Sequence, residues 1–127
     1  MKLLLAFALT AMLLTACGQN NHQETVYMNI TAEEAKKIMD TQQGYVILDV
    51  REQAEYDQGH IPGAIVIPHG EIEAKAEAAL PDKDQLILVY CRSGRRSKIA
   101  AEALVKLGYT NIKEFGGILD WPYEVET

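Results

Sequence analysis

Leu86-Ile87-Leu88-Val89-Tyr90-Cys91-Arg92-Ser93-Gly94-Arg95-Arg96-Ser97 decides how this 127-residue chain folds. Leu86 to Tyr90 is an unbroken apolar, β-rich run, the pattern of a central parallel strand covered on both faces. From Ser97 to Leu107 the period becomes helical, with Ile99, Ala103, Leu104 and Leu107 on one stripe and Gly108 as the stop. The loop between them leaves backbone N–H groups unpaired at the helix start, and these groups together with the helix dipole favour negative charge. Cys91 stands in that field. Arg92, Arg95 and Arg96 add three fixed positive charges in a chain of formal net charge −6. A free thiol has a pKa of about 8.5, and such surroundings commonly lower it by about one to several units, so Cys91 is expected to be a thiolate nucleophile near neutral pH. A cysteine kept for packing is common but needs no cations beside it, whereas arginines and a glycine in a strand-to-helix loop point to recognition of an oxyanion.

The rest of the chain repeats the alternation. Val26 to Ile30 reads as a strand, and Thr31-Ala32-Glu33-Glu34 is a capping box opening a helix to about Asp40. Tyr45 to Val50 is a second buried strand, followed by a short helix from Glu52 to Gln58. Ala64 to Ile67 makes a third strand between Pro62-Gly63 and Pro68. Gly70 to Leu80 is alanine-rich and helical, and after the central strand and its helix, Asn111 to Phe115 supplies a fifth strand. Alternating strands and helices predict an α/β domain with a mainly parallel five-stranded sheet, helices on both faces, and a ligand site beyond the carboxyl ends of the strands. Cys91 lies at such an end.

The length suits one domain, placed at residues 26–127. An acidic balance argues against nucleic acid as a partner, and the scattered His22, His60 and His69 offer no zinc spacing, so neither metal nor cofactor is expected. Residues 1–16 have the features of an export signal: Lys2, then an apolar run from Leu3 to Leu14 that is shorter than the ~20 residues a membrane-spanning helix needs. Leu14-Thr15-Ala16-Cys17 resembles the lipobox of bacterial lipoproteins, in which the cysteine is lipidated and becomes the mature N-terminus. That resemblance implies a lipid anchor on Cys17, a polar tether over 17–25, and a protein held to the cell membrane or outer membrane on its periplasmic or extracellular face. Cys91 would then be the only thiol left, and monomer is the default state.

Three blocks resemble the single-domain rhodaneses, which are sulfurtransferases. They are Leu48-Asp49-Val50-Arg51 with Glu55 and Gly59-His60-Ile61-Pro62-Gly63-Ala64; the loop Cys91 to Ser97; and Phe115-Gly116-Gly117-Ile118 with Trp121. The resemblance implies that Cys91 takes the outer sulfur of a small anionic donor such as thiosulfate, holds it as a persulfide, and passes it to a thiol or cyanide. Arg92, Ser93, Gly94, Arg95 and Arg96 are the expected substrate-binding residues, although Arg92 and Arg95 alternatively line the rim and Arg96 is the arginine most expected to be tied into structure. Asp49, Arg51 and Ser97 are expected to support the loop, with Asp49 in a salt bridge to Arg51 or to a loop arginine. His60 is expected to be a hydrogen-bonded structural residue, and Trp121 and Tyr123 to cover the core. A cysteine-dependent phosphatase or arsenate reductase is the rival enzyme, but its Cys-x5-Arg loop needs arginine where Ser97 stands. A non-catalytic sulfur carrier or redox sensor is the rival of another class.

Overall fold

The computed structural model describes residues 26–127. The expected export signal over 1–16, the lipidated Cys17 and the tether over 17–25 lie outside the described residues.

Within them the chain runs β1 (Met28–Asn29), α1 (Ala32–Thr41), β2 (Val46–Asp49), α2 (Gln53–Gln58), β3 (Ile65–Val66), α3 (Ile72–Ala79), β4 (Ile87–Cys91), α4 (Arg95–Lys106) and β5 (Ile112–Gly117). All strand pairs are parallel, and the five strands lie in the order β1-β5-β4-β2-β3. β4 is therefore central, and its five residues are all buried, as its apolar run requires.

Local chemistry sets most of these boundaries. The capping box at α1 forms: the Glu34 N–H donates to Thr31 Oγ1 at 3.1 Å and the Thr31 N–H to Glu34 Oε2 at 3.3 Å. β1 is shorter than its apolar run because it is an edge strand, with only Met28 and Asn29 in register with β5. Before α3, a 3-10 turn over His69–Glu71 replaces the first part of the expected helix, where Gly70 disfavours α geometry. α4 begins at Arg95, two residues earlier than its apolar stripe indicates, because Gly94 takes φ +106° and turns the chain directly into the helix.

Apolar residues alternate across the sheet. On one face Leu48, Val89 and Cys91 pack with α3 and α4 through Ile72, Ala76, Ala101 and Leu104. On the other, Ile47, Leu88, Tyr90 and Phe115 pack with Ala35 and Ile38 of α1 and with Trp121. Both faces are thus covered, and the free carboxyl ends of β2, β4 and β5 meet at one edge of the domain.

Candidate active site

Cys91 is the last residue of β4 and the floor of the loop that leads into α4. It is a free cysteine with 1% of its surface exposed. The Gly94 N–H donates to its Sγ at 3.0 Å, and Ser97 Oγ lies 3.4 Å from the same sulfur. Burial by itself pushes the thiol pKa up. Hydrogen bonds at Ser97, Gly94 and Ser93 outweigh it, and the thiol sits below its ordinary value. Of the two influences expected from the sequence, loop amides and arginine charge, it is hydrogen bonds around Gly94 and Ser97 that carry the lowering.

The three arginines separate into two groups. Arg92 and Arg95 are exposed on the loop rim, and among the described residues neither joins an ion pair. Arg96, grouped with the substrate-binding residues but also the arginine most expected to be tied into structure, is engaged in structure: Nη1 and Nη2 donate to Glu55 Oε2 and Oε1 at 2.7 and 2.8 Å. This bidentate bond holds the Glu55 carboxyl down at about 2. α2 thereby clamps the base of the loop, with the terminal Nη1/Nη2 fork of Arg96 turned to Glu55. Sequence reasoning gave Glu55 no role, because its partner lies 41 positions away.

Asp49 and Arg51 form the second support. Asp49 is fully buried and accepts from Arg51 Nε and Nη2 and from the Tyr90 hydroxyl, the last at 2.7 Å. Arg51 Nη2 also donates to the Gly59 carbonyl, and the Tyr90 oxygen accepts the Ile61 N–H at 3.0 Å. One buried carboxylate thus ties β2, β4 and the Gly59–Ile61 turn together. The partner of Asp49 is Arg51 and not a loop arginine. His60 is buried, stacked on Tyr56 with ring centroids 3.7 Å apart, and bonded through Nδ1 to the Tyr56 carbonyl.

β5 closes the loop from the other side. Val89 pairs with Glu114 but Cys91 with Gly117, so β5 carries an extra residue at this point. Gly116 sits at φ +84° and makes the bulge possible. Gly117 then packs against the loop so closely that a Cβ there would overlap the Arg92 carbonyl and stand 2.5 Å from the Ser93 nitrogen. The bulge also aims Glu114 under the loop, where Oε1 accepts from Ser97 Oγ at 2.6 Å and from the Gly116 N–H at 2.9 Å. Glu114 was not singled out in the sequence. Its signal is a charged residue two positions after Ile112, on the inward face of a strand.

Beside the loop runs an open groove of about 460 Å3, bordered by Arg51, Arg92, Leu119, Trp121, Tyr123 and Val125. Trp121 belongs to the apolar cluster on the α1 face, whereas Tyr123 is exposed. Among the described residues no group of three or more His, Cys, Asp or Glu is placed to hold a metal, and no helix is long and apolar enough to cross a membrane.

Known proteins share both the sequence and the architecture. The thiosulfate sulfurtransferase PspE of Escherichia coli is 42% identical over 73 residues, covering 58% of this chain and 70% of that protein. The putative sulfur carrier protein YrkF of Bacillus subtilis is 40% identical over 98 residues, 76% of this chain but only 52% of its own length. Among solved structures, an E. coli rhodanese with anions superposes with a TM-score of 0.62 at 37% identity, covering 65% of this chain and 98% of that one. A rhodanese-related protein from Thermoplasma volcanium gives 0.68 at 33% identity, covering 79% and 98%. The rhodanese-like domain matches residues 31–123, and with a parallel sheet that ends in a thiol-bearing loop, the chain belongs to the rhodanese-like domain family.

Proposed function

We propose that this protein transfers a sulfane sulfur from a small anionic donor such as thiosulfate to a thiol or cyanide, by way of a persulfide on Cys91. The observation that carries this reading is the Cys91 sulfur held by the Gly94 amide at 3.0 Å inside a loop whose free cations, Arg92 and Arg95, stand at the rim. The Cys91 thiolate attacks the outer sulfur of the donor, a new S–S bond forms, the donor's own S–S bond breaks, and sulfite leaves with the bonding pair. The loop amides meet the anionic sulfur in a site that is already organised, so no reorganisation is needed as charge moves from thiolate to persulfide. The acceptor then attacks the outer persulfide sulfur and returns the thiolate. The groove beside Arg92 gives donor and acceptor a common approach.

We also propose that the domain works outside the cytoplasm, anchored by lipid on Cys17, on the strength of the export-like leader and the lipobox-like Leu14 to Cys17. A solitary thiol in such a compartment suits sulfur chemistry better than disulfide formation.

One purified preparation tests both parts. Thiosulfate and cyanide are expected to give thiocyanate and sulfite, with the activity abolished by Cys91→Ser. Mass spectrometry is expected to find one extra sulfur on Cys91 after thiosulfate and a lipid increment on Cys17. Near-wild-type turnover by Cys91→Ser overturns the persulfide, and full-chain protein purified from membranes without a lipid increment overturns the anchor.

A further inference from the structure

Glu114 is 2% exposed, Ser97 is fully buried and Cys91 is 1% exposed. A carboxylate buried in a strand interior carries a large desolvation cost unless it is paired. Among the described residues Glu114 makes no ion pair. Its Oε1 partners are the Ser97 hydroxyl and the Gly116 N–H.

A serine hydroxyl has one proton to give. Around Ser97 Oγ lie Glu114 Oε1 at 2.6 Å, the Gly94 carbonyl at 3.0 Å, the Gly116 carbonyl at 3.4 Å and Cys91 Sγ at 3.4 Å. The shortest of these falls in the range of an O–H donating to a carboxylate oxygen, about 2.5–2.7 Å. While Glu114 is a carboxylate, the Ser97 proton therefore points at it and away from the sulfur, and Cys91 must donate its own S–H to Ser97 Oγ. The Ser97 hydroxyl turns to the thiolate only when Glu114 holds a proton.

We propose that Glu114 is a positioning residue of the sulfur-transfer site, acting through Ser97 as the internal acceptor of the Cys91 proton. As the S–H bond of Cys91 breaks, its proton passes to Ser97 Oγ, and the proton Ser97 already carried passes to Glu114 Oε1. Two bonds to hydrogen break and two form. The S–H electron pair stays on sulfur, which accepts a hydrogen bond from the Gly94 N–H, and the negative charge moves from Glu114 to Cys91 with nothing leaving the cluster. This rests on the persulfide reading and adds to it. With the proton parked on Glu114, a persulfide anion and an incoming anionic donor do not face a second buried negative charge. The other groups around the cluster are Arg96 of α4 with its partner Glu55 of α2, and Tyr27 and Glu102, whose shared field with Glu114 helps to keep the Tyr27 phenol protonated behind desolvation by burial. Asp49 and Arg51 form their ion pair at the Tyr90 side of the sheet.

The test is the pH profile of Cys91 alkylation by iodoacetamide on the full chain, read by mass spectrometry of the Cys91 peptide. Two groups that share a proton titrate as a pair, so the wild-type rate is expected to rise in two steps separated by a plateau. Glu114→Gln keeps the shape but cannot take the proton, and is expected to give one step, with the rate falling about tenfold per pH unit below its midpoint because the thiol must then lose its proton to solvent. Ser97→Ala breaks the chain at its centre, is expected to lose the plateau too, and serves if Glu114→Gln fails to fold. A single step in the wild type, or a plateau that survives in either variant, overturns the proposal. Iodoacetamide needs no sulfur donor, so absent thiosulfate turnover with a two-step profile would sink the donor assignment alone, and full turnover with a one-step profile would sink the role of Glu114 alone.

Discussion

Replacing Gly117 by alanine adds a single methyl group at the closest approach between β5 and the active loop. The new Cβ overlaps the Arg92 carbonyl and stands 2.5 Å from the Ser93 nitrogen, whereas real Cβ atoms essentially never come within 3.0 Å of such neighbours. Both neighbours are backbone, so no side chain can swing aside. Gly117 also has an ordinary extended conformation, φ −129° and ψ 156°, so alanine brings no torsional strain and its whole effect is steric. The loop must retreat by about an ångström, a displacement that costs on the order of 100-fold when it misplaces reacting groups. It pulls on the Leu119 N–H bond to the Arg92 carbonyl, 3.2 Å in the native fold, and tilts the Ser93 and Gly94 amides away from the sulfur. Overpacking of this kind costs about 1–3 kcal/mol in stability. The expected result is a folded protein with a urea midpoint modestly lowered and thiosulfate-to-cyanide turnover reduced by about 100-fold. Gly94→Ala is a poor substitute, because φ +106° there adds strain of its own. Gly117→Ala with unchanged turnover and an unchanged midpoint would show that β5 does not brace the loop.

Two further outcomes follow from the supports. Tyr90→Phe leaves Asp49 one donor short and orphans the buried Ile61 N–H, so urea unfolding is expected to show a loss of about 1–3 kcal/mol, and a loss near zero would mean that another group satisfies both. Glu55, held at about 2 by its bond to Arg96, has a folded-state value below the ordinary carboxyl of about 4.3, so its stabilisation is complete above that value and disappears as the pH falls toward 2. Discounted for partial exposure this amounts to about 1–2 kcal/mol, and the stability gap between wild type and Glu55→Gln is expected to be constant above pH ~5 and to close with acid; a gap that is flat down to the acid limb would remove the clamp from the account.

What was legible in the sequence was local. The apolar run before Cys91, the helical stripe after it, and the Thr31 capping box each depend on residues a few positions apart, and each element lies within about two residues of its expected ends, although a 3-10 turn opens the segment expected as the start of α3. The early start of α4 was hidden, because an apolar stripe marks the buried turns of a helix and not the left-handed glycine that launches it. The pairings that make the site are longer in range. Glu55 with Arg96 spans 41 positions, Asp49 with Tyr90 another 41, and Ser97 with Glu114 spans 17. Each depends on which strand neighbours which and on the bulge at Gly116, neither of which is a local property of the chain. Charge alone therefore overstated the arginines: three stand near Cys91 in sequence, yet one of them is neutralised by a helix that the sequence places far upstream.

A loop that grips a tetrahedral oxyanion uses its last arginine to close two N–H groups over two oxygens. Here the last arginine comes one place early, at Arg96, and its Nη1/Nη2 fork is already turned to the Glu55 carboxylate. What remains inside the loop is a single hydrogen-bonded sulfur with an amide donor at 3.0 Å and a hydroxyl at 3.4 Å, while the unpaired cations stand outside at Arg92 and Arg95. The site is thus graded, with positive charge at the rim and neutral N–H donors at the floor. This matches a donor that keeps a charged sulfonate outward and offers one sulfur atom inward. A phosphate would need an arginine fork closed over two of its oxygens, and here that fork is turned to Glu55.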